Sequence, residues 1–457
     1  MRLETPNREK SMKLIRTKGR GAQQTAEILA ALEQRGGAAL DAVLPAVKRI
    51  VADVRRRGGR ALLRYTAQFD GLTGVDALAV TTEEMASAWD AATPALRKAL
   101  STAAEQIRGF AVAQLPASWS ENSVPGLTTG QLVRPLGAVG CYVPSGRHPL
   151  PSTLLMTAIP AQVAGVRRIA VVSPKPAPET LAAAHLIGIT EFYRLGGAHA
   201  VAALAYGIAG AVRIAKVDKI VGPGNLYVTA AKRLVAFDCA IDMLAGPTEI
   251  VVTSERGNAN EIASDLVAQA EHDPAALAIF ITTRMDLAKD VMAEAKLRSR
   301  LNPVARESLD RNGLVILAAS MDEARAITNR IAPEHLTVDA ASDLDWVQNA
   351  GSVFVGRWSA QPMGDYISGP NHTLPTGGMA RVRGGLSVND FVKLITVQQY
   401  SAQALRVLGP QAALLAEAEG LTAHAEAIRT RLHQPVRVTE KMVGVLPSKT
   451  NARRKSC

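Results

Sequence analysis

The chain of 457 residues is 47% hydrophobic and 20% charged, a balance that excludes an intrinsically disordered protein and supplies cores for two or three domains. Its net charge of +11 sits at the ends: residues 1–20 and 441–457 each carry +5, leaving +1 for the body. Aromatics are only 4%, too few for a base-stacking platform, so solvated tails explain the basicity better than specific nucleic-acid binding. No run approaches the roughly 18 apolar residues of a membrane span. The N-terminus lacks the apolar core of a secretory signal. Cys141, Cys239 and Cys457 form neither a CxxC pair nor an even framework, so a reducing cytoplasm is expected.

In chain order, a basic tail (1–20) leads into a mainly helical region (21–129) rich in Ala, Leu and Arg. From about 130 short β-branched runs alternate with helical segments. A first α/β layer is expected over 130–253, with strands at 137–143, 168–173, 191–195, 219–221 and 249–253 and helices at 149–165 and 224–237. A second layer, 254–384, takes strands at 278–282, 314–318, 335–338 and 352–355. After about 385 the strands are expected to stop. SVNDFVKLITVQQYSAQALRVL, AALLAEAEG and LTAHAEAIRTRL then read as a helical arm (385–440), broken at Gly409-Pro410 and Gly420, before a basic tail (441–457). Two such series suggest two parallel sheets with a ligand between them.

Three glycine-rich turns follow candidate strands, in CYVPSGRHP, RLGGAHAVAAL and IVGPGNLYV. Each fits a tight strand-to-helix turn or an anion cradle at a helix N-terminus. None matches G-x-G-x-x-G, so the fingerprint does not choose between them.

The chemistry concentrates further on. In AQAEHDP, Gln269 and His272 lie three apart at the end of a helix whose apolar stripe includes Ile262 and Leu266, so both side chains are expected to point inward. Glu334-His335, Asp365 and His372 in GDYISGPNH, and His424 complete the set. Two imidazoles, a carboxylate and an amide oxygen are compatible with zinc and do not exclude manganese or cobalt. Singly, each has a plain alternative: a satisfied core histidine, or a turn-capping aspartate. Glu334-His335 joins a carboxylate to a base titrating near neutrality, provided both face the cleft although neighbours on a strand face opposite ways. His372 can bind substrate or simply hydrogen-bond its own loop.

With these residues in view the chain resembles the histidinol dehydrogenase family, from about residue 25 to 435. The resemblance is carried by GCYVPSGRHPLPSTLLMTAIPAQVAGV, KIVGPGNLYVTAAKR, IDMLAGPTE, DLVAQAEHDP, IAPEHLTV, GDYISGPNHTLPTGG and LTAHAEAI. It implies an α/β fold with two divergent Rossmann-like parallel-sheet domains, an N-terminal mainly helical region and a C-terminal helical arm. It implies Zn2+, one per subunit, on Gln269, His272, Asp365 and His424, and an acid–base pair of Glu334 and His335. Substrate contacts would come from Thr248, His372 and Glu419 as well as from those six residues, and NAD contacts from Tyr142, His199 and Asn225. Family members are homodimers whose arms cross, so His424 and Glu419 would serve the partner's site. The implied reaction is the oxidation of L-histidinol to L-histidine through L-histidinaldehyde, the last two steps of histidine biosynthesis, with NAD+ taking a hydride each time.

Two positions depart from the family pattern. His199 replaces the Gln of GGAQA, and a neutral imidazole cannot donate and accept through one nitrogen as an amide does through its two ends. Thr248 replaces the Ser of AGPSE and keeps its hydroxyl. The nearest rival is a related zinc and NAD dehydrogenase of another small polar alcohol, such as sulfopropanediol. A zinc hydrolase using Glu334 as base is a rival from another class, and it would turn over without NAD.

Overall fold

The structure, a computed structural model, describes residues 12–19, 21–35, 38–145 and 149–433. The 441–457 tail, most of the N-terminal tail and the Gly146–His148 part of the first glycine turn lie outside the described residues. The chain divides into two compact units. The first holds the described residues up to Ala113 together with Gly137–Asp390, and the second holds Gln114–Leu136 and the described residues from Phe391.

The first unit contains two six-stranded sheets. One runs, in spatial order, Ala79–Val80, Glu191–Tyr193, Arg168–Val172, Ala138–Tyr142, Lys219–Val221 and Ala240–Ile241, parallel except for the first, antiparallel pair. The other runs Lys13–Arg16, Leu314–Leu317, Leu277–Thr282, Glu249–Thr253, His335–Val338 and Ser352–Val355, parallel throughout. Their central strands are nearly unbroken apolar runs because helices cover both faces. All five residues of Glu249–Thr253 are buried. On one face of that sheet Ile250, Val252 and Phe280 pack against Ile262, Leu266 and Val291 of the helices Ala259–Ala270 and Met285–Arg298. On the other face Val251, Ile279 and Ile316 meet Ile327 and Ile331 of the helix Met321–Ile331. The first sheet has a matching core, with Val47, Val51 and Val54 of the helix Ala38–Arg57 packed on the helix Gly197–Tyr206.

Apart from the edge strands Lys13–Arg16 and Ala79–Val80, the chain in each sheet lays strands to one side of a central strand and then to the other. The reversals fall between Ala138–Tyr142 and Lys219–Val221, and between Glu249–Thr253 and His335–Val338. Reversal points of this kind open crevices for ligands.

Several sequence expectations are corrected. The run EIVVT, Glu249–Thr253, belongs to the second sheet rather than the first, since it pairs with Leu277–Thr282 and His335–Val338. Lys13–Arg16, expected in a solvated tail, is an edge strand paired with Leu314–Leu317; buried Met12 and Ile15 supply the apolar contact that the charge count hid. The C-terminal arm is not wholly helical. Val392–Tyr400 is a strand in register with Leu127–Pro135, and Trp119–Val124, within the region expected to be helical, completes this antiparallel sheet in the second unit. Val392, Ile395, Thr396 and Val397 are β-branched and fit a pleated strand better than a helix. The helices Ala402–Ala418 and Thr422–Leu432 follow, as expected, and pack against each other. Among the described residues no helix is long and apolar enough to cross a membrane.

Candidate active site

The side chain of Asn258 accepts from the N–H groups of Asn260 and Glu261 and so starts the helix Ala259–Ala270. Its inward stripe of Ile262, Ala263 and Leu266 ends in Gln269, which is 1% exposed. Gln269 donates through Nε2 to the Thr248 hydroxyl, and its buried Oε1 has no hydrogen-bond partner. His272 does not share that face. The helix ends at Ala270, so His272 sits exposed in the following turn, yet near enough to Asp365 for its charge to lower the carboxyl's pKa.

Glu334 and His335 are turned to the same place because only His335 is in the strand. Ala332, at φ 49°, ends the preceding helix, and Glu334 precedes the first strand residue. The Glu334 Oε2 atom accepts from the Thr248 hydroxyl at 2.6 Å and from the Glu249 N–H at 2.7 Å. His335 Nδ1 lies 3.0 Å from the Glu249 carbonyl oxygen and 3.6 Å from Glu334 Oε2. A carbonyl only accepts, so Nδ1 carries the hydrogen and Nε2 is left as the working nitrogen. One residue's peptide groups thus orient both members of the pair. That residue is itself clamped: Arg35 meets the Glu249 carboxylate at 2.6 and 2.7 Å, and Gly377 N–H donates to it at 2.9 Å.

Asp365, in the short helix Pro362–Tyr366, brings Oδ1 to 3.8 Å from His335 Nε2. The Asp365 carbonyl accepts from His372 Nδ1 at 2.9 Å, which leaves His372 Nε2 to accept from the Thr153 hydroxyl at 3.2 Å. His372 therefore does hold its own loop, and burial keeps its pKa below the ordinary histidine value. The Phe354 ring lies along that of His335 with centroids 6.0 Å apart. Gly364 is required beneath it, because a Cβ there would come within 2.6 Å of Phe354 Cζ. A cavity of about 430 Å³ opens beside His335, Phe354, Met363, Asp365 and His372.

Burial alone would lower the pKa of His335, but the charges of Glu334 and Asp365 outweigh it and carry the imidazole up to about 10. Asp365 shows the reverse: burial pushes its pKa up, and His335 pulls it below the usual carboxylate value.

Tyr142 and His199 both border the glycine turn of RLGGAHA. The buried Tyr142 hydroxyl accepts from Gly197 N–H at 3.0 Å, and burial raises its pKa to about 12. His199, 1% exposed, meets Asp70 Oδ2 through Nε2 at 2.8 Å, while its buried Nδ1 has no partner. Asn225 is exposed one turn away and caps its helix by accepting from Tyr227 and Val228 N–H. Ahead of it Gly222, at φ +108°, lies so close to Tyr142 that a Cβ would overlap the tyrosine's carbonyl oxygen. The buried Lys232–Asp242 pair fixes this turn, Asp242 accepting from Gly222 N–H at 2.7 Å and Lys232 donating to the Gly222 carbonyl at 3.0 Å.

Glu249, Arg35, Asp70, Asp242 and Gln361, whose Nε2 donates to Asp365 Oδ2 at 3.0 Å, were not among the sequence candidates. Asp242 alone stands as a single charge within an apolar run, AIDML; the residue types around the others give no such signal. Glu419 and His424 are exposed on the second unit, at the end of the helix Ala402–Ala418 and on the helix Thr422–Leu432. Among the described residues no three His, Cys, Asp or Glu side chains form a group able to hold a metal ion. The set from the first unit is Gln269, His272 and Asp365, in which an amide oxygen is one donor. The unpartnered Gln269 Oε1 fits that role, since a buried carbonyl oxygen needs a partner.

The family model of histidinol dehydrogenase matches residues 33–432. The chain is 45% identical over 415 residues to histidinol dehydrogenase of Methanothermobacter thermautotrophicus, covering 88% of this chain and 96% of that protein. It is 44% identical over 435 residues to that of Geobacillus kaustophilus, covering 93% and 100%. The crystal structure of histidinol dehydrogenase from Elizabethkingia anophelis matches with a TM-score of 0.86 at 33% identity, over 93% of this chain and 99% of that one. Fold, site and relatives together define an α/β oxidoreductase. The chain belongs to the histidinol dehydrogenase family.

Proposed function

We propose that the chain oxidises L-histidinol to L-histidine through L-histidinaldehyde, giving up one hydride to NAD+ in each of two steps, with one Zn2+ per subunit. The observation that carries this reading is the Glu334–His335 pair, oriented by Glu249 and faced by Asp365 across the cavity. Gln269, His272 and Asp365, with His424 of a second copy, would hold the ion, and Tyr142, His199 and Asn225 would border the dinucleotide. Bound there, zinc would supply a Lewis acid that helps hold the substrate, and its charge would offset the carboxylates that otherwise keep His335 protonated.

His335 Nε2 accepts the alcohol proton as the carbinol carbon loses hydride. Glu334 draws a proton from the water that adds to the aldehyde. His335, having released the first proton to solvent, then takes a hydroxyl proton of the hydrate as the second hydride leaves. Thr248, His372 and Glu419, together with the ligands and the pair, position the substrate. Glu419 and His424 act across a homodimer by exchange of the C-terminal segment, in the cytoplasm.

The test is stoichiometric. Purified protein with L-histidinol should give two NADH per histidine, stop on chelation and recover with Zn2+. His335→Asn should slow both oxidations while retaining metal. Full activity in that variant, or turnover without NAD+, overturns the assignment, and a panel of small polar alcohols tests the substrate.

A further inference from the structure

Gln361 stands at the start of the short helix Pro362–Tyr366, yet its side chain does not cap it. It is 1% exposed, and its backbone N–H is taken by the carboxylate of Asp265. Nε2 donates to Asp365 Oδ2 at 3.0 Å, while the buried Oε1 has no partner. The opposite amide orientation would set a carbonyl oxygen against a carboxylate, so chemistry dictates which end faces Asp365. The two oxygens of Asp365 are thereby made unequal. Oδ2 is tethered, and Oδ1 is the atom turned toward His335 Nε2 at 3.8 Å.

We propose that Gln361 is a positioning residue for a divalent cation, holding one oxygen of Asp365 so that only the other is offered to the ion. The inference rests on the zinc-binding reading above. Outer partners of this kind fix the aim of a ligand that would otherwise rotate. The unpaired Oε1 supports a role beyond packing, because a buried carbonyl without a partner costs free energy that an apolar side chain of similar length would avoid. Function and stability should therefore separate at this position.

The experiment uses the full chain, stripped of metal, with Zn2+ affinity read by competition against a chromogenic chelator and stability by thermal unfolding of the metal-free form. Gln361→Met should weaken zinc by about 10- to 100-fold with a melting temperature equal to or above that of the unsubstituted protein. Asp365→Asn is the control for the zinc reading: if it binds zinc normally, that reading fails and takes this inference with it. If Asp365→Asn loses zinc while Gln361→Met keeps normal affinity, the role of Gln361 alone is overturned. A Gln361→Met protein with a lowered melting temperature also overturns it, since Gln361 would then be structural.

Discussion

Thr248 shows how much a single hydroxyl can carry. It gives its hydrogen to Glu334 at 2.6 Å and takes one from Gln269, so it joins the acid–base pair to a candidate ligand. Serine has the same donor and acceptor, whereas valine has the same shape and neither. Thr248→Ser should keep near-normal turnover. Thr248→Val should leave the buried Gln269 Nε2 without its partner and Glu334 Oε2 with the Glu249 N–H alone, lowering stability by about 1–3 kcal/mol and kcat by at least about tenfold through misplacement of Glu334. Urea unfolding with steady-state kinetics checks both, and equal behaviour of the two variants would dismiss the hydroxyl's role. Glu249 acts on the same pair through its peptide rather than its side chain, which is why no reading of residue types singled it out.

Strands and helices decide which part of the site could be read in advance. The stripe ending in Gln269 and the apolar run after His335 are periodic, and the structure keeps them. The inward orientation expected of His272 fails because three-residue spacing implies a shared face only while the helix continues, and this one stops at Ala270. Val392–Tyr400 resembles a helix in sequence because apolar residues fall on both faces of the strand, so its alternation is blurred. Two consequences belong to this scale. At Gly222 a positive φ coincides with close approach to Tyr142, so Gly222→Ala should cost about 1–3 kcal/mol of local strain and weaken NAD+ binding while zinc content stays normal; calorimetric titration with NAD+ and metal analysis test this. In the helix Ala259–Ala270, burial raises the Asp265 pKa to about 6, against a pull from Gln361 N–H. The fold therefore favours the protonated acid, and stability declines as pH rises from about 4 to about 6 and stays lower above that. Asp265→Asn should remove this slope and gain about 1–3 kcal/mol at neutral pH, measured by denaturant unfolding at pH 4 and pH 7. A slope that survives in the variant would place the titration elsewhere.

In the whole molecule, the candidate cluster lies at the amino ends of the second sheet's strands, since Glu249 and His335 each begin one. The usual crevice is at the carboxyl ends. In the first sheet the residues do lie at those ends: Tyr142 closes its strand and Gly222 follows the next. The helix Pro151–Ala164, which follows Tyr142, joins the two regions: Thr153 binds His372 and the Met156 carbonyl accepts from Asn371. No local pattern could announce this, because it depends on which ends of two distant sheets meet. Glu419 and His424 are exposed on the other unit, and the proposed exchange between copies predicts complementation that can be measured. In a mixture of His335→Asn and His424→Asn chains, neither homodimer has an intact site. If the segments exchange, each heterodimer holds one site carrying both lesions and one carrying neither. Random assortment then restores about a quarter of the unsubstituted activity. Without exchange each site keeps its own lesion, and mixing after unfolding and refolding should yield nothing above the two separate variants.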